Sequence, residues 1–171
     1  MNKSALLAVV AALAAPAAFA ATVTFDPAAA PQGTHVQTGT PDCTVSGYVV
    51  TCSTYELAGV GNTNAVGNLA ATYSGTVLCT NPGGNVAPGQ TQFPTMNTST
   101  GTIQSKNGRL TVPALSSTTS QSAIEAALLQ NTSCPNGKWT KSVQSGSIAL
   151  QGFTYTLTFA GYTDPYILIT P

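Results

Sequence analysis

Residues 21–171 offer little acid–base, metal or nucleophilic chemistry. They hold one histidine (His35), five carboxylates (Asp26, Asp42, Glu56, Glu125, Asp164), four cations (Lys106, Arg109, Lys138, Lys141) and four cysteines. Serine hydrolysis needs a base beside the nucleophile and a third group that orients the base. His35 is the only imidazole, sits in the polar stretch QGTHVQTG, and no GxSxG is present. Glycoside cleavage needs two carboxyls across one bond. The five acids are scattered, and Asp42 beside Cys43 and Asp164 before Pro165 have the setting of turn residues. No catalytic residue is therefore assigned, and the chain reads as a non-enzyme.

The cysteines, Cys43, Cys52, Cys79 and Cys134, are even in number and lack CxxC spacing. This favours two disulfides in an oxidising compartment over a zinc site. Ser46-Gly47 can turn CTVSGYVVTC into a hairpin that brings Cys43 and Cys52 face to face. Cys79 then pairs with Cys134 by elimination, closing a loop worth about 3–4 kcal/mol of chain entropy. GVGN (59–62) and NPGGN (81–85) resemble phosphate loops only superficially. Neither has a nearby lysine or a following helix whose N-terminus could face an anion. They read as turns. Calcium is disfavoured because these Asn-rich loops lack carboxylates, so neither metal nor cofactor is expected. Trp139, Tyr155 and Tyr162 are the candidates for an aromatic platform binding a sugar or peptide; core packing is the competing use of such rings.

Residues 1–20, MNKSALLAVVAALAAPAAFA, have one cation, an apolar run and a closing Ala-Phe-Ala. That is the pattern of a cleaved signal peptide, with the mature chain expected to start at Ala21. The run is too short and too interrupted by Pro16 to serve as a membrane span, and no later segment qualifies. Four cations against five acids leave no basic patch for nucleic acid or anionic lipid. The chain is expected in the periplasm or outside the cell.

The elements that would hold these residues are mostly strands. ATVTF (21–25) reads as an edge strand, and residues 26–42 as irregular chain punctuated by Pro and Gly. Residues 43–45 and 49–57 form the expected hairpin. Residues 68–80 form a longer strand with Tyr73, Val77 and Cys79 on one side, where Leu78 suggests burial of both faces or a bulge at Gly75. Asn107-Gly108 predicts a type I′ turn, placing Ile103 opposite Val112 and Ser105 opposite Leu110. Ser122 and Glu125 have capping-box spacing before a short helix over 123–130. Phe153, Tyr155, Leu157 and Phe159 alternate with threonines, the clearest period of two in the chain. Tyr166 to Ile169 supplies a last strand. Short strands with turn chemistry between them imply an all-β fold, an antiparallel β-sandwich of immunoglobulin type with one short helix; a barrel fits the same pattern. The organisation is a leader (1–20), an N-terminal strand with an irregular segment (21–42) and a sandwich domain (43–171).

Four segments taken in order, LAGVGN (57–62), CTNPGGNVAPGQ (79–90), KNG (106–108) and CPNGKWT (134–140), resemble a group of small secreted bacterial proteins. The similarity spans about residues 57–159, and CTNPGGN-x-x-PGQ is its specific part. That group has no assigned activity or site, so the resemblance implies only an exported, disulfide-linked β module. The functional expectation is a structural or interaction module at the cell surface or beyond it, meeting another copy, a surface protein or a glycan. A fibre subunit that donates its N-terminal strand and a carbohydrate- or peptide-binding module are the alternatives.

Overall fold

The computed structural model describes residues 20–117 and 120–171; the expected leader, apart from Ala20, lies outside them. In chain order the strands are β1 (Thr22–Phe25), β2 (His35–Gly39), β3 (Cys43–Ser46), β4 (Val49–Cys52), β5 (Tyr55–Ala58), β6 (Ala65–Thr80), β7 (Val86–Gln92), β8 (Thr95–Ile103), β9 (Arg109–Val112) and β10 (Leu115–Ser116). Then come helix α1 (Gln121–Asn131), β11 (Thr140–Val143), β12 (Ala149–Phe159) and β13 (Ile167–Thr170).

The spine is β6. Its 16 residues alternate between buried and less buried along their whole length, with Ala65, Leu69, Ala71, Tyr73, Val77 and Cys79 inward. At about 3.3 Å per residue it is roughly 50 Å long, far beyond an ordinary strand. One edge pairs with β12 and then β11, the other with β8 and then β7, all antiparallel. Each flank breaks where β6 continues. Between β7 and β8 the break holds Pro94, which lacks an N–H; its carbonyl instead accepts the Tyr73 N–H at 2.9 Å. Between β11 and β12 the Gln144 N–H reaches the Thr76 carbonyl at 2.8 Å. Leu78 is half-buried on the outer face and does not disturb the alternation, so Gly75 carries no bulge. The ladder slips between Val77 and Cys79 against β7 instead.

The opposing layer is built the same way. β2 and β3 run antiparallel to β5 and β4, and β9 and β10 flank the other side. Pro41 and Pro113 mark the breaks, opposite Ser53-Thr54. Ser53 bridges one gap: its hydroxyl donates to the Thr40 carbonyl at 2.6 Å and accepts the Asp42 N–H at 3.1 Å. Thr54 donates to the Val112 carbonyl across the other. The strand expected over 49–57 is thus two strands, and the stretch expected to be irregular contains β2.

Between the layers Val50, Tyr55, Leu57, Leu110 and Val112 meet Leu69, Tyr73, Phe153, Tyr155, Leu157, Phe159, Ile167 and Ile169 in one core. The large sheet ends openly at β1, which pairs with β13 of its own chain, Thr22 opposite Thr170 through Phe25 opposite Ile167. The fold is an antiparallel β-sandwich with one α-helix among the described residues. Both expected disulfides are formed, Cys43–Cys52 across β3 and β4 and Cys79–Cys134 from the end of β6 to the chain after α1. No helix among the described residues is long and apolar enough to cross a membrane.

Two local expectations are corrected. Asn107 (φ 52°) and Gly108 (φ 74°) make the expected turn, but only Lys106 and Arg109 bridge across it. Ile103 pairs with Ala65 and Leu110 with Leu57, because the two arms diverge into opposite layers to bury their apolar sides. Helix α1 is capped by Ser120, whose hydroxyl accepts the Ala123 N–H at 3.2 Å, rather than by Ser122; Glu125 instead accepts from Gln121. Starting there puts Ile124 and Leu128, one turn apart and both fully buried, onto the core side. Leu128 sits where a side chain on Gly75 would have to be.

Candidate functional site

Gly59 (φ 76°) and Gly61 (φ 59°) occupy the left-handed region, and a Cβ on Gly59 would lie 2.2 Å from the Gly33 carbonyl oxygen. Two chain segments touch backbone to backbone there. In the 81–85 turn Asn81 binds its own loop, its side-chain carbonyl accepting the Asn85 N–H at 2.9 Å. Its backbone carbonyl takes the Gly84 N–H at 2.9 Å. Gly84 (φ 81°) makes the bend. The 81–85 loop spends its polar groups on itself, and Val60 of the other loop donates its N–H to the Gly108 carbonyl at 3.2 Å.

The expected aromatic platform separates. Tyr155 is 1% exposed in the core, and its hydroxyl lies 2.9 Å from that of Tyr55. Burial raises both phenols above their ordinary range, Tyr55 far above it; the neighbouring Tyr155 adds to the shift at Tyr55, while the hydrogen bond with Tyr55 tempers it at Tyr155. Tyr162 is half-buried with its ring edge-on to Phe159, and it borders shallow clefts with Asp26 and Asp164 on one side and Asn64 on the other. Trp139 is half-buried in the turn after Cys134 and borders neither cleft. His35 is exposed at the start of β2, its Nδ1 2.8 Å from the Gly33 carbonyl. Among the described residues no three His, Cys, Asp or Glu side chains converge as metal ligands would.

The polar groups that do converge are others. A cleft of about 480 Å³ is bordered by Glu56, Gln104, Lys106, Asn107, Arg109 and Thr111. Alternation along β5 and β9 explains three of them. Tyr55 and Leu57 point inward, so Glu56 points out; Leu110 and Val112 point inward, so Arg109 and Thr111 point out. Glu56 lies directly opposite Thr111 in the ladder. Arg109 donates from Nη1 to Glu56 Oε1 at 2.5 Å. The I′ turn carries Lys106 and Asn107 to the rim, and Gln104 arrives from the end of β8. Of the nine charged side chains in residues 21–171, three meet here. Glu56 and Arg109 are 53 residues apart, and only the β5–β9 pairing makes them neighbours. The one local hint in the sequence is that Lys106 and Arg109 flank an Asn-Gly turn.

No protein-family model, curated protein or solved structure matches this chain.

Proposed function

We propose that this protein is a non-catalytic, exported interaction module of immunoglobulin-like type, working in the periplasm or outside the cell by binding a polar partner. The observation that carries the reading is the cleft where Glu56, Lys106 and Arg109 meet, three of the nine charged side chains in residues 21–171. A surface solvated mainly by hydroxyls and amides presents one place with donors, acceptors and both charge signs together, which is what specific recognition of a polar ligand uses. The two disulfides suit an oxidising compartment. The resemblance of the CTNPGGN-x-x-PGQ stretch to secreted bacterial proteins supports the same placement.

The test is co-sedimentation of the mature chain (21–171) with purified cell-envelope and extracellular polymer fractions. Saturable binding is expected, weakened when Arg109 and Lys106 are replaced by Gln. Absence of saturable binding to every fraction would overturn the reading. The fibre-subunit alternative rests on β1 being the open end of the large sheet, yet β1 is already held through four paired positions by β13. Donation to a neighbour requires those pairs to open, so a monomer in sedimentation velocity is expected.

A further inference from the structure

We propose, building on the interaction-module reading, that the cleft between β5, β9 and the Lys106–Arg109 turn takes a carboxylate-bearing saccharide, a uronic-acid unit of an acidic polysaccharide. Every lining side chain carries a polar group: Glu56, Lys106 and Arg109 are charged, and Gln104, Asn107 and Thr111 have amides and a hydroxyl. Their carbon stems supply the apolar part of its surface, and no wholly apolar side chain lines it. Its volume of about 480 Å³ falls within the roughly 300–1,000 Å³ of small-molecule sites.

The charges narrow the ligand further. Lys106 and Arg109 outweigh Glu56 by one, which favours an anion. Only one guanidinium nitrogen of Arg109 is engaged by Glu56. The remaining N–H groups form a planar fork, the shape that matches a carboxylate, and Lys106 adds a point charge beside it. Glu56, however, is an acceptor and a repulsive charge. It rejects a multiply charged anion without donors, such as inorganic phosphate, and its unused oxygen seeks an O–H. Gln104, Asn107 and Thr111 both give and accept hydrogen bonds. A ligand with one carboxylate and several hydroxyls satisfies all six groups at once. A neutral sugar would leave Lys106 and the Arg109 fork unmatched, and a phosphate would leave Glu56 facing a like charge.

The site lies on the outer face of the sheet, with Arg109 in strand β9 at the sheet's edge, so a polymer chain can run through without a blind end. Arg109 is 55% exposed; its replacement by Gln alters the surface and leaves the core beneath, Leu57 and Leu110, in place.

The experiment is titration of the isotope-labelled mature chain (21–171) with tetragalacturonate, with its methyl ester and with maltotetraose, followed by amide shifts and calorimetry. The expected result is saturable binding of the uronate with shifts centred on 56, 104–111. The methyl ester, which keeps the hydroxyls and loses the charge, should bind at least about tenfold more weakly, the size of one charged hydrogen bond. Arg109→Gln and Lys106→Gln should each weaken the uronate by a similar factor while the melting temperature stays put. Affinity should also fall as salt is raised, since the site is exposed. Equal affinity for the ester, or shifts elsewhere on the molecule, would overturn the assignment while leaving the interaction-module reading standing. Binding of none of the three would overturn it too, and the envelope co-sedimentation then decides the broader reading separately.

Discussion

Tyr55 on β5 and Tyr155 on β12 come from opposite layers and are 100 residues apart. Their hydroxyls lie 2.9 Å apart in a core where neither ring is more than 4% exposed. Among the described residues no buried side-chain nitrogen or oxygen lacks a partner, so each hydroxyl depends on the other. Replacing Tyr155 with Phe keeps the ring and removes one oxygen. The Tyr55 hydroxyl is then buried without a partner, which costs about 1–3 kcal/mol. Tyr55→Phe should cost the same for the mirrored reason. The double variant removes both polar groups and leaves two well-shaped apolar rings, a change that is close to neutral. The expectation is therefore an inversion: the double variant is more stable than either single one. Equilibrium urea unfolding of all four proteins, with the disulfides intact and far-ultraviolet circular dichroism as the readout, closes the cycle. If the two single losses simply add in the double variant, the hydroxyls have other partners and the pairing argument is wrong.

The same pair sets the alkaline limit. Burial raises Tyr55, Tyr155 and Tyr166 in the fold above the ordinary value of 10.0. The unfolded chain therefore releases these protons first, and the stability they confer, whole below pH 10, drains as pH climbs past it. Tyr55, the most strongly raised, should steepen the loss by up to about 1.4 kcal/mol per pH unit, with Tyr155 adding in the same direction; unfolding midpoints from pH 9 to 11.5 check this, and the Tyr55→Phe/Tyr155→Phe variant should show a flatter fall. Removing Cys79–Cys134, which spans 55 residues, should cost about 4 kcal/mol against nearer 3 for Cys43–Cys52, which spans 9, on the chain-entropy account; denaturation of paired Cys→Ala variants ranks them, and the reverse order would contradict loop length as the cause. Gly59→Ala puts a methyl against the Gly33 carbonyl at a left-handed position, so a loss of more than about 1 kcal/mol is expected. Gly84→Ala, also left-handed but with open space around it, should lose less; thermal melts of both compare strain with collision.

Much of this molecule follows from short-range pattern. Period two along 153–159 says which side of β12 is buried whatever lies beside it, since successive side chains point to opposite faces. Asn107-Gly108 turns the chain wherever it occurs because both positions tolerate positive φ. The spacing of Cys43 and Cys52 about a turn at Gly47-Tyr48, one residue beyond the expected Ser46-Gly47, places them opposite each other by local geometry, and Cys79–Cys134 then had no other partner. Neighbours are a different matter. Whether 109–112 would lie on 103 or on 55–58 is not encoded in alternation, which is the same in either case. Packing chose β5, because Leu110 and Val112 bury more fully between the layers beside Tyr55 and Leu57. That long-range choice also assembled the cleft, bringing Arg109 to Glu56. It sent Tyr155 inward to Tyr55 and left Trp139 apart, dissolving the platform that residue types alone suggested. Inside and outside can be read along a chain because side-chain direction is a local property. Who stands next to whom cannot, because adjacency between distant strands is settled only when all the apolar faces compete for one interior.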